Sequence, residues 1–229
     1  DNGNDTDYTI GTDGTIAAVA LEDGYGDEFG IIKGEEAYLN INTIIKNIDK
    51  RFYVDATNNL VMFTDATKTY KTKIGGKTIN ETENTDYVIS FMDGKNCYVN
   101  VKFVKKYVDF DYKVVKAEGK SPARIVLKYT SGEKNQMTVK SNIEMRTKAD
   151  YQNLIVTTLK KNTKVTVLEE SGDWTKVGTD DGFMGYVPAK KLKDKETKKT
   201  EFKSDADTYT HILMNKKISL GWNAITNLT

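Results

Sequence analysis

Residues 145–187 read MRTKADYQNLIVTTLKKNTKVTVLEESGDWTKVGTDDGFMGYV, a series of short apolar stretches separated by turn-forming residues. Apolar and polar side chains alternate over 165–168, which predicts a strand with two distinct faces. Turn signals follow at 170–173 and 180–182, and the Asp-Gly of the second favours a hairpin turn that needs a positive φ. Short strands at this spacing predict a small β-barrel.

Three phrases recur in this stretch in a set order: Arg146-Thr147, Gly172-Asp173-Trp174 and Gly185-Tyr186-Val187-Pro188. With them, residues 141–192 resemble the bacterial SH3 domain. The resemblance implies an extracellular module of cell-wall-associated proteins, which tethers or binds and does not itself catalyse.

The resemblance also implies a shallow, aromatic-lined groove for peptide stems or glycan. The candidate binding residues are Tyr151, Trp174, Phe183 and Tyr186, with Arg146 available for a carboxylate. The alternative, that each is an ordinary core or surface residue, stays open. Trp174 is the sharpest case, because an indole buries a large area yet needs a partner for its N–H.

The chain of 229 residues can hold two ordinary domains, and its net charge of +1 argues against a nucleic-acid-binding protein. The charge is uneven, since residues 1–28 hold eight acidic residues and no basic one, whereas residues 190–203 hold seven lysines. We interpret both stretches as solvated. The alternative for the lysines is contact with an anionic wall polymer. The richness in Lys, Asn and Thr suits a low-GC, Gram-positive bacterium.

Residues that could carry catalysis are scarce. Cys97 and His211 are the only cysteine and the only histidine, so we expect no disulfide, no ordinary zinc site and no His-activated nucleophile. The acidic cluster at 23–28 lacks the carboxylate that closes a calcium loop. We expect no catalytic residue, no metal and no cofactor. No apolar run has membrane-spanning length, and no signal peptide is present. The polar first residues, DNGNDTD, suggest a trimmed start from which a leader was removed or omitted.

An internal repeat with a spacing of sixty residues precedes the SH3-like stretch. Tyr38 and Asn40 of the first copy correspond to Tyr98 and Asn100 of the second, and each asparagine is placed to cap a helix. Apolar residues follow at helical spacing. We expect one shared core to bury them: Ile41, Ile44, Ile48, Val101, Val104 and Val108.

Over residues 30–115 this repeat resembles the domain named after the N-terminal region of copper amine oxidases, although the usual Val-Pro-Leu-Arg phrase is absent. The resemblance implies an accessory or substrate-contacting module of bacterial wall proteins, and no copper chemistry. Since predicted strands follow each helix, we expect a duplicated α+β helix-strand domain followed by an all-β SH3-like small barrel.

The C-terminal stretch is charged and rich in threonine over 193–207, which is typical of a linker. Residues 217–223, KISLGWN, are predicted to form a short buried strand and resemble the first barrel strand of family 18 glycoside hydrolases, the chitinase-like enzymes. The acidic catalytic motif of that family lies on a later strand and is absent here. The resemblance implies that a catalytic domain follows Thr229.

The sequence thus predicts four parts: a flexible or partly stranded segment (1–29), the duplicated domain (30–131), the SH3-like barrel (132–193), and a linker with the first strand of a further domain (194–229). The predicted function is a non-catalytic accessory region of a secreted or cell-wall-associated bacterial protein. It would hold a glycoside hydrolase-like domain near peptidoglycan or related glycan. Two alternatives stay open, a structural spacer without ligand and the front half of a wall-glycan hydrolase. No nucleic acid and no membrane span is predicted, and the oligomeric state is not indicated.

Overall fold

The computed structural model describes residues 14–204, which are built mainly of short β-strands. In chain order the strands are β1 (Gly14–Ala20), β2 (Gly30–Lys33), β3 (Glu36–Asn40), β4 (Phe52–Asp55), β5 (Leu60–Thr64), β6 (Thr69–Lys73), β7 (Thr78–Ile79), β8 (Glu83–Asn84), β9 (Ser90–Asp93), β10 (Asn96–Asn100), β11 (Asp111–Val115), β12 (Ala123–Lys128), β13 (Gly132–Val139), β14 (Ile143–Arg146), β15 (Ile155–Leu159), β16 (Lys164–Ser171), β17 (Trp174–Gly178), β18 (Met184–Pro188) and β19 (Leu192–Thr200).

These strands form three sheets. The first has the order β11-β12-β1-β2-β3-β10-β9, the second β4-β5-β6-β7-β8, and the third β15-β14-β18-β17-β16-β13-β19. In the first sheet β3 and β10, which carry the two copies of the repeat, lie side by side and antiparallel, with Leu39 opposite Val99. β1 pairs in parallel with β12. A Cβ on Gly30 would lie 2.6 Å from the Ile125 Cδ1 atom, so this crowded position of β2 requires glycine.

The two predicted helices are present only as short turns, so the predicted α+β class is wrong and this part of the chain is mostly β. α1 (Ile41–Thr43) continues as a π-helical turn at Ile44–Ile48, and α2 (Val101–Lys105) is a single short helix. Asn40 and Asn100 do accept a 2.9 Å hydrogen bond from the backbone N–H two residues on. Both segments are rich in β-branched residues, which lose side-chain freedom in a helix, and such short segments gain few helical hydrogen bonds.

One core between the first and second sheets receives the apolar residues of both turns, which confirms the predicted shared core. Phe63 of β5 stacks on Tyr107 with ring centroids 4.7 Å apart, so aromatic rings of the second sheet complete this core. No helix within residues 14–204 is long and apolar enough to cross a membrane. The predicted core residues are buried (Ile41, Ile44, Val101, Val104) or partly buried against the cluster (Ile48, Val108).

The third sheet agrees with the expected all-β small barrel and has its own buried core. β19 also belongs to it, pairing antiparallel with β13 from Leu192 opposite Val139 to Thr200 opposite Gly132. Residues up to Thr200 are therefore strand where the sequence predicted linker. β19 is exposed along almost its whole length, so no apolar alternation marks it in the sequence. His211 and the strand predicted at 217–223 lie outside the described residues.

Direct contacts join the first sheet to the third. The Tyr25 hydroxyl donates to the Gly182 carbonyl oxygen and accepts from the Met184 N–H, both at 3.0 Å. The Arg124 Nε donates to the Asp181 carbonyl oxygen at 2.6 Å. Apolar contacts lie beside these bonds, and a cleft of about 240 Å³ opens between the sheets. The SH3-like part is thus fastened to the first sheet by both polar and apolar contacts.

Glu22 forms a second fastening at this boundary. Its Oε1 accepts hydrogen bonds of 2.8 Å from the backbone N–H groups of Tyr129 and Thr130, and lies 3.5 Å from the Lys134 Nζ. Burial acts to raise the pKa of this carboxyl, but the hydrogen bonds and the Lys134 charge outweigh it and lower the pKa. Glu22 therefore stays ionised and ties the loop after β1 to the chain that enters β13.

Candidate functional site

The outer face of the third sheet carries a row of side chains across four strands. Ile155 on β15 lies opposite Arg146 on β14, Arg146 lies opposite Tyr186 on β18, and Tyr186 lies opposite Lys176 on β17. Residues opposite one another in antiparallel strands share a face, whereas their neighbours in sequence point the other way. Val177, next to Lys176, is accordingly buried in the core.

Two aromatic residues extend this row. Trp174 lies two residues before Lys176 on β17 and so shares its face. Tyr151, in the loop after β14, meets the Trp174 ring edge-on, with centroids 4.8 Å apart and planes at 62°. The guanidinium of Arg146 lies 5.9 Å from the Tyr151 ring centroid. We call this group the outer-face site: Arg146, Tyr151, Ile155, Trp174, Lys176 and Tyr186.

Arg146 holds the loop that presents Tyr151. One of its terminal nitrogens donates to the Asn153 carbonyl oxygen at 2.9 Å and the other to the Glu144 carboxylate at 2.6 Å. The guanidinium is planar and rigid, so these bonds position the loop over the sheet. Because the guanidinium has five N–H donors, some remain available to a ligand. The Glu144 carboxylate partly neutralises its positive charge.

The exposure of Tyr151 distinguishes this site from core packing. Its side chain is 58% exposed although it touches Trp174, whereas Trp174 itself is half-buried. An edge-to-face aromatic pair with one ring open to solvent offers an apolar face at low conformational cost, since the partner ring already restricts it. The structure thus brings four of the five candidate residues, Arg146, Tyr151, Trp174 and Tyr186, to one surface.

Phe183 lies apart from the other candidates. The Arg124 guanidinium of the first sheet lies 4.0 Å from its ring centroid, and Phe183 packs against the core of the third sheet. A cation over an aromatic face is a stabilising contact, here between two sheets. Phe183 thus belongs to the boundary between the sheets rather than to the outer-face site.

Sequence reasoning missed three residues near the site. Leu154 is 78% exposed and Ile155 is 50% exposed, so the loop carries apolar surface beside Tyr151. The signal was present as the unbroken apolar run 154–156, but without alternation such a run does not indicate which side chain is exposed. Lys176 carried no signal, because its place in the row depends on strand pairing.

Lys176 also connects the outer-face site to the first sheet. Its Nζ donates to the Asp23 carbonyl oxygen at 2.6 Å, and Asp23 lies in the loop after β1. The site is therefore bounded on one side by the loop of Tyr151 and on the other by the loop of Asp23. A surface between two loops suits an extended, chain-like ligand better than a small molecule, which binds in an enclosing pocket.

The cysteine of the chain lies away from this surface. Burial raises the pKa of the Cys97 thiol to about 11, which keeps it protonated at neutral pH, and Cys97 lies in β10 of the first sheet. Within residues 14–204 no group of three or more His, Cys, Asp or Glu side chains could hold a metal ion. The outer-face site presents aromatic faces, an arginine and a lysine.

Comparison with known proteins identifies a family for one segment of the chain. A chain of known structure, the structure of NlpC2 from Trichomonas vaginalis, is 13% identical; the alignment covers 81% of this chain and 45% of that one, with a TM-score of 0.25. No curated protein matches the chain. Residues 141–193 match the family model of the bacterial SH3 domain, which confirms the family expected for this segment.

Proposed function

We propose that the chain is an accessory region of a bacterial cell-wall-associated protein and binds peptidoglycan or a related wall glycan through the outer-face site. The observation that supports this most is Tyr151, an exposed ring held against Trp174 beside the Arg146 guanidinium. The family of residues 141–193 agrees, since bacterial SH3 domains are associated with cell-wall proteins.

The chemistry of the site fits a wall peptide or glycan. Aromatic rings pack against the apolar faces of sugars and against aliphatic side chains, and burial of such area on binding is favourable. The unused N–H donors of Arg146 suit a ligand carboxylate or carbonyl oxygen. Lys176 adds a positive charge at the far end of the row, so acidic groups along a peptide stem would meet a cation at either end.

The wider setting extends this proposal. We propose that the parent protein is secreted and that a glycoside hydrolase-like domain, of the chitinase-like kind suggested by residues 217–223, follows Thr229. We retain a relationship of residues 30–115 to the N-terminal region of copper amine oxidases as a proposal about family only. Sequence beyond Thr229 tests the proposed glycoside hydrolase-like domain, since catalysis by the chitinase-like enzymes requires an acidic motif on a later barrel strand.

The test is co-sedimentation with purified peptidoglycan from which anionic polymers have been removed. Tyr151→Ala should weaken binding by about tenfold or more, because truncation of an aromatic hot spot costs about 2 kcal/mol or more. Its melting temperature should stay close to that of the wild type, since Tyr151 is 58% exposed. Tyr53→Ala is the matched control: Tyr53 is 56% exposed but lies on β4 of the second sheet.

The possible outcomes separate the alternatives. Loss of binding in Tyr151→Ala with retention in Tyr53→Ala supports the outer-face site. Equal binding by both variants and the wild type would place the wall contact elsewhere. Absence of sedimentation even for the wild type would favour the structural spacer, whose modules pack together and recognise nothing.

A further inference from the structure

One end of the SH3-like unit is formed by three segments, 139–142, 160–163 and 188–194. The Val139 N–H donates to the Thr163 carbonyl oxygen at 2.9 Å, and the Asn162 N–H donates to the Val139 carbonyl oxygen at 2.8 Å. The Lys140 N–H donates to the Lys191 carbonyl oxygen at 2.9 Å. Backbone hydrogen bonds thus hold segments that are far apart in sequence at the same end of the sheet.

This end concentrates positive charge. The three segments hold six lysines and a single acidic residue, Asp194. Within residues 14–204 none of the six forms an ion pair, and all but Lys191 are exposed. We call them the lysine end: Lys140, Lys160, Lys161, Lys190, Lys191 and Lys193.

The charge is local, because the chain as a whole carries a net charge of only +1. Ammonium groups crowded without acidic partners repel one another, and an anion that binds among them relieves this repulsion. The Lys140 Nζ donates to the Lys190 carbonyl oxygen at 2.9 Å, but a neutral carbonyl group leaves the charge of this ammonium uncompensated. The lysine end is therefore suited to a ligand with several negative charges.

The spacing of the lysines favours a linear polymer over a single small anion. Thr138 of β13 pairs with Lys164, which follows segment 160–163, on one side and with Lys193 of segment 188–194 on the other, so the chains that carry these two segments lie two strand spacings apart, about 10 Å. A single phosphate can contact only some of six ammonium groups carried by three segments and leaves the others without a counter-charge. A chain with a charge in every repeating unit can contact several at once and release counterions from each.

The residue types favour phosphodiester groups without bases. Lysine contacts phosphate as a compact point charge, whereas the planar guanidinium of arginine binds a carboxylate through two parallel hydrogen bonds. The three segments contain no arginine. They also contain no aromatic residue on which nucleic-acid bases could stack. We propose that the lysine end binds a flexible anionic wall polymer with a phosphodiester in each repeating unit, of which poly(glycerol phosphate) is the simplest.

The lysine end lies next to the outer-face site and shares no residue with it. The Ala189 N–H donates to the Asp173 carbonyl oxygen at 2.8 Å, and Pro188 lies opposite Trp174 in the strand register. A polymer seated on the lysines would therefore pass close to Trp174. The inference goes beyond the proposed peptidoglycan contact and stands without it, since its ligand and its residues are different.

The test is a binding titration of the full chain with fluorescently labelled poly(glycerol phosphate), read by anisotropy at about 50 mM salt, where screening is weak. The triple variant Lys140→Gln, Lys161→Gln, Lys190→Gln removes one charge from each segment and should bind about tenfold more weakly, with a shallower dependence on salt. The control removes three exposed lysines that form no ion pair within residues 14–204 from the second sheet and its neighbouring turn: Lys71→Gln, Lys73→Gln and Lys77→Gln.

Four results decide the matter. Weakened binding in the lysine-end variant alone supports the inference, and the charge-preserving variant with arginine at the same three positions should restore the affinity. Equal weakening in the control would show that the whole protein, and not this end, attracts the polymer, which overturns it. Tighter binding of a single-stranded RNA of equal charge would overturn the choice of partner. Sedimentation with stripped peptidoglycan should be unchanged in the lysine-end variant, so failure of this inference and failure of the proposed function are distinguishable.

Discussion

Gly182 lies where the first and third sheets meet, and replacing it by alanine should lower the free energy of unfolding by about 2–4 kcal/mol. Its φ of +84° is in the region that disfavours a side chain, which accounts for about 1 kcal/mol of the loss. An added Cβ would lie 2.7 Å from the Val126 Cγ2 and 3.4 Å from the Ala20 Cβ. Relieving the closer contact requires the sheets to separate slightly, and overpacking of this kind costs about 1–3 kcal/mol.

Gly172→Ala is the matched control for this change. Gly172 also has a positive φ, +59°, but an added Cβ would have no atom within 4 Å. It should therefore lose only the conformational part, about 1 kcal/mol. Urea unfolding followed by tryptophan fluorescence measures both variants, and the difference between them isolates the packing between the sheets. Equal losses in the two variants would refute the reasoning, because the contact at Gly182 would then relax without cost.

Two further predictions concern the core and the boundary between the sheets. Ile44→Ala should cost about 2–5 kcal/mol, whereas Ile45→Ala, at a 37% exposed neighbour, should cost less than about 1 kcal/mol; a loss below about 0.5 kcal/mol at Ile44 would contradict the shared core. Because the pKa of Glu22 is lowered in the folded state, its carboxylate stabilises the fold above its unfolded pKa, about 4.3. This stabilisation is lost as the pH falls through the pKa of the folded state. Chemical unfolding at pH 7 and in acid should show that the free energy of unfolding falls less in acid for Glu22→Gln than for the wild type.

The sequence predicted the SH3-like part well because its signals are local. Asp-Gly turns, alternating strands and the phrase around Trp174 each depend on residues close together in the chain. The family resemblance suggested Arg146, Tyr151, Trp174 and Tyr186 as candidates, and the structure brings them to one surface. The shared core of the preceding part was also predictable, since apolar spacing indicates burial whether the segment forms a full helix or a short turn.

The misjudged elements depend on contacts between distant residues. The helical spacing at 41–48 and 101–108 was real, but tertiary pairing of the adjoining strands leaves room only for turns. Apart from the buried Leu192, β19 has only polar side chains, so only its pairing with β13 identifies it as a strand. The places of Phe183, under Arg124, and of Lys176, against Asp23, are set by the approach of two sheets that the sequence does not describe.

The boundary between the sheets bears on the proposed function because it borders the outer-face site. Lys176 belongs to the site and bonds to the Asp23 carbonyl oxygen, while Tyr25, two residues later, bonds to both Gly182 and Met184. These three hydrogen bonds hold the loop after β1 next to the site, and with the Arg124 bond and the apolar contacts they fix the site relative to the first sheet. A fragment limited to residues 141–193 lacks this loop and also lacks β13 and β19, which complete the sheet. Wall binding is for that reason a property to be measured on the longer chain, in which the loop of Asp23 and the loop of Tyr151 bound the same surface.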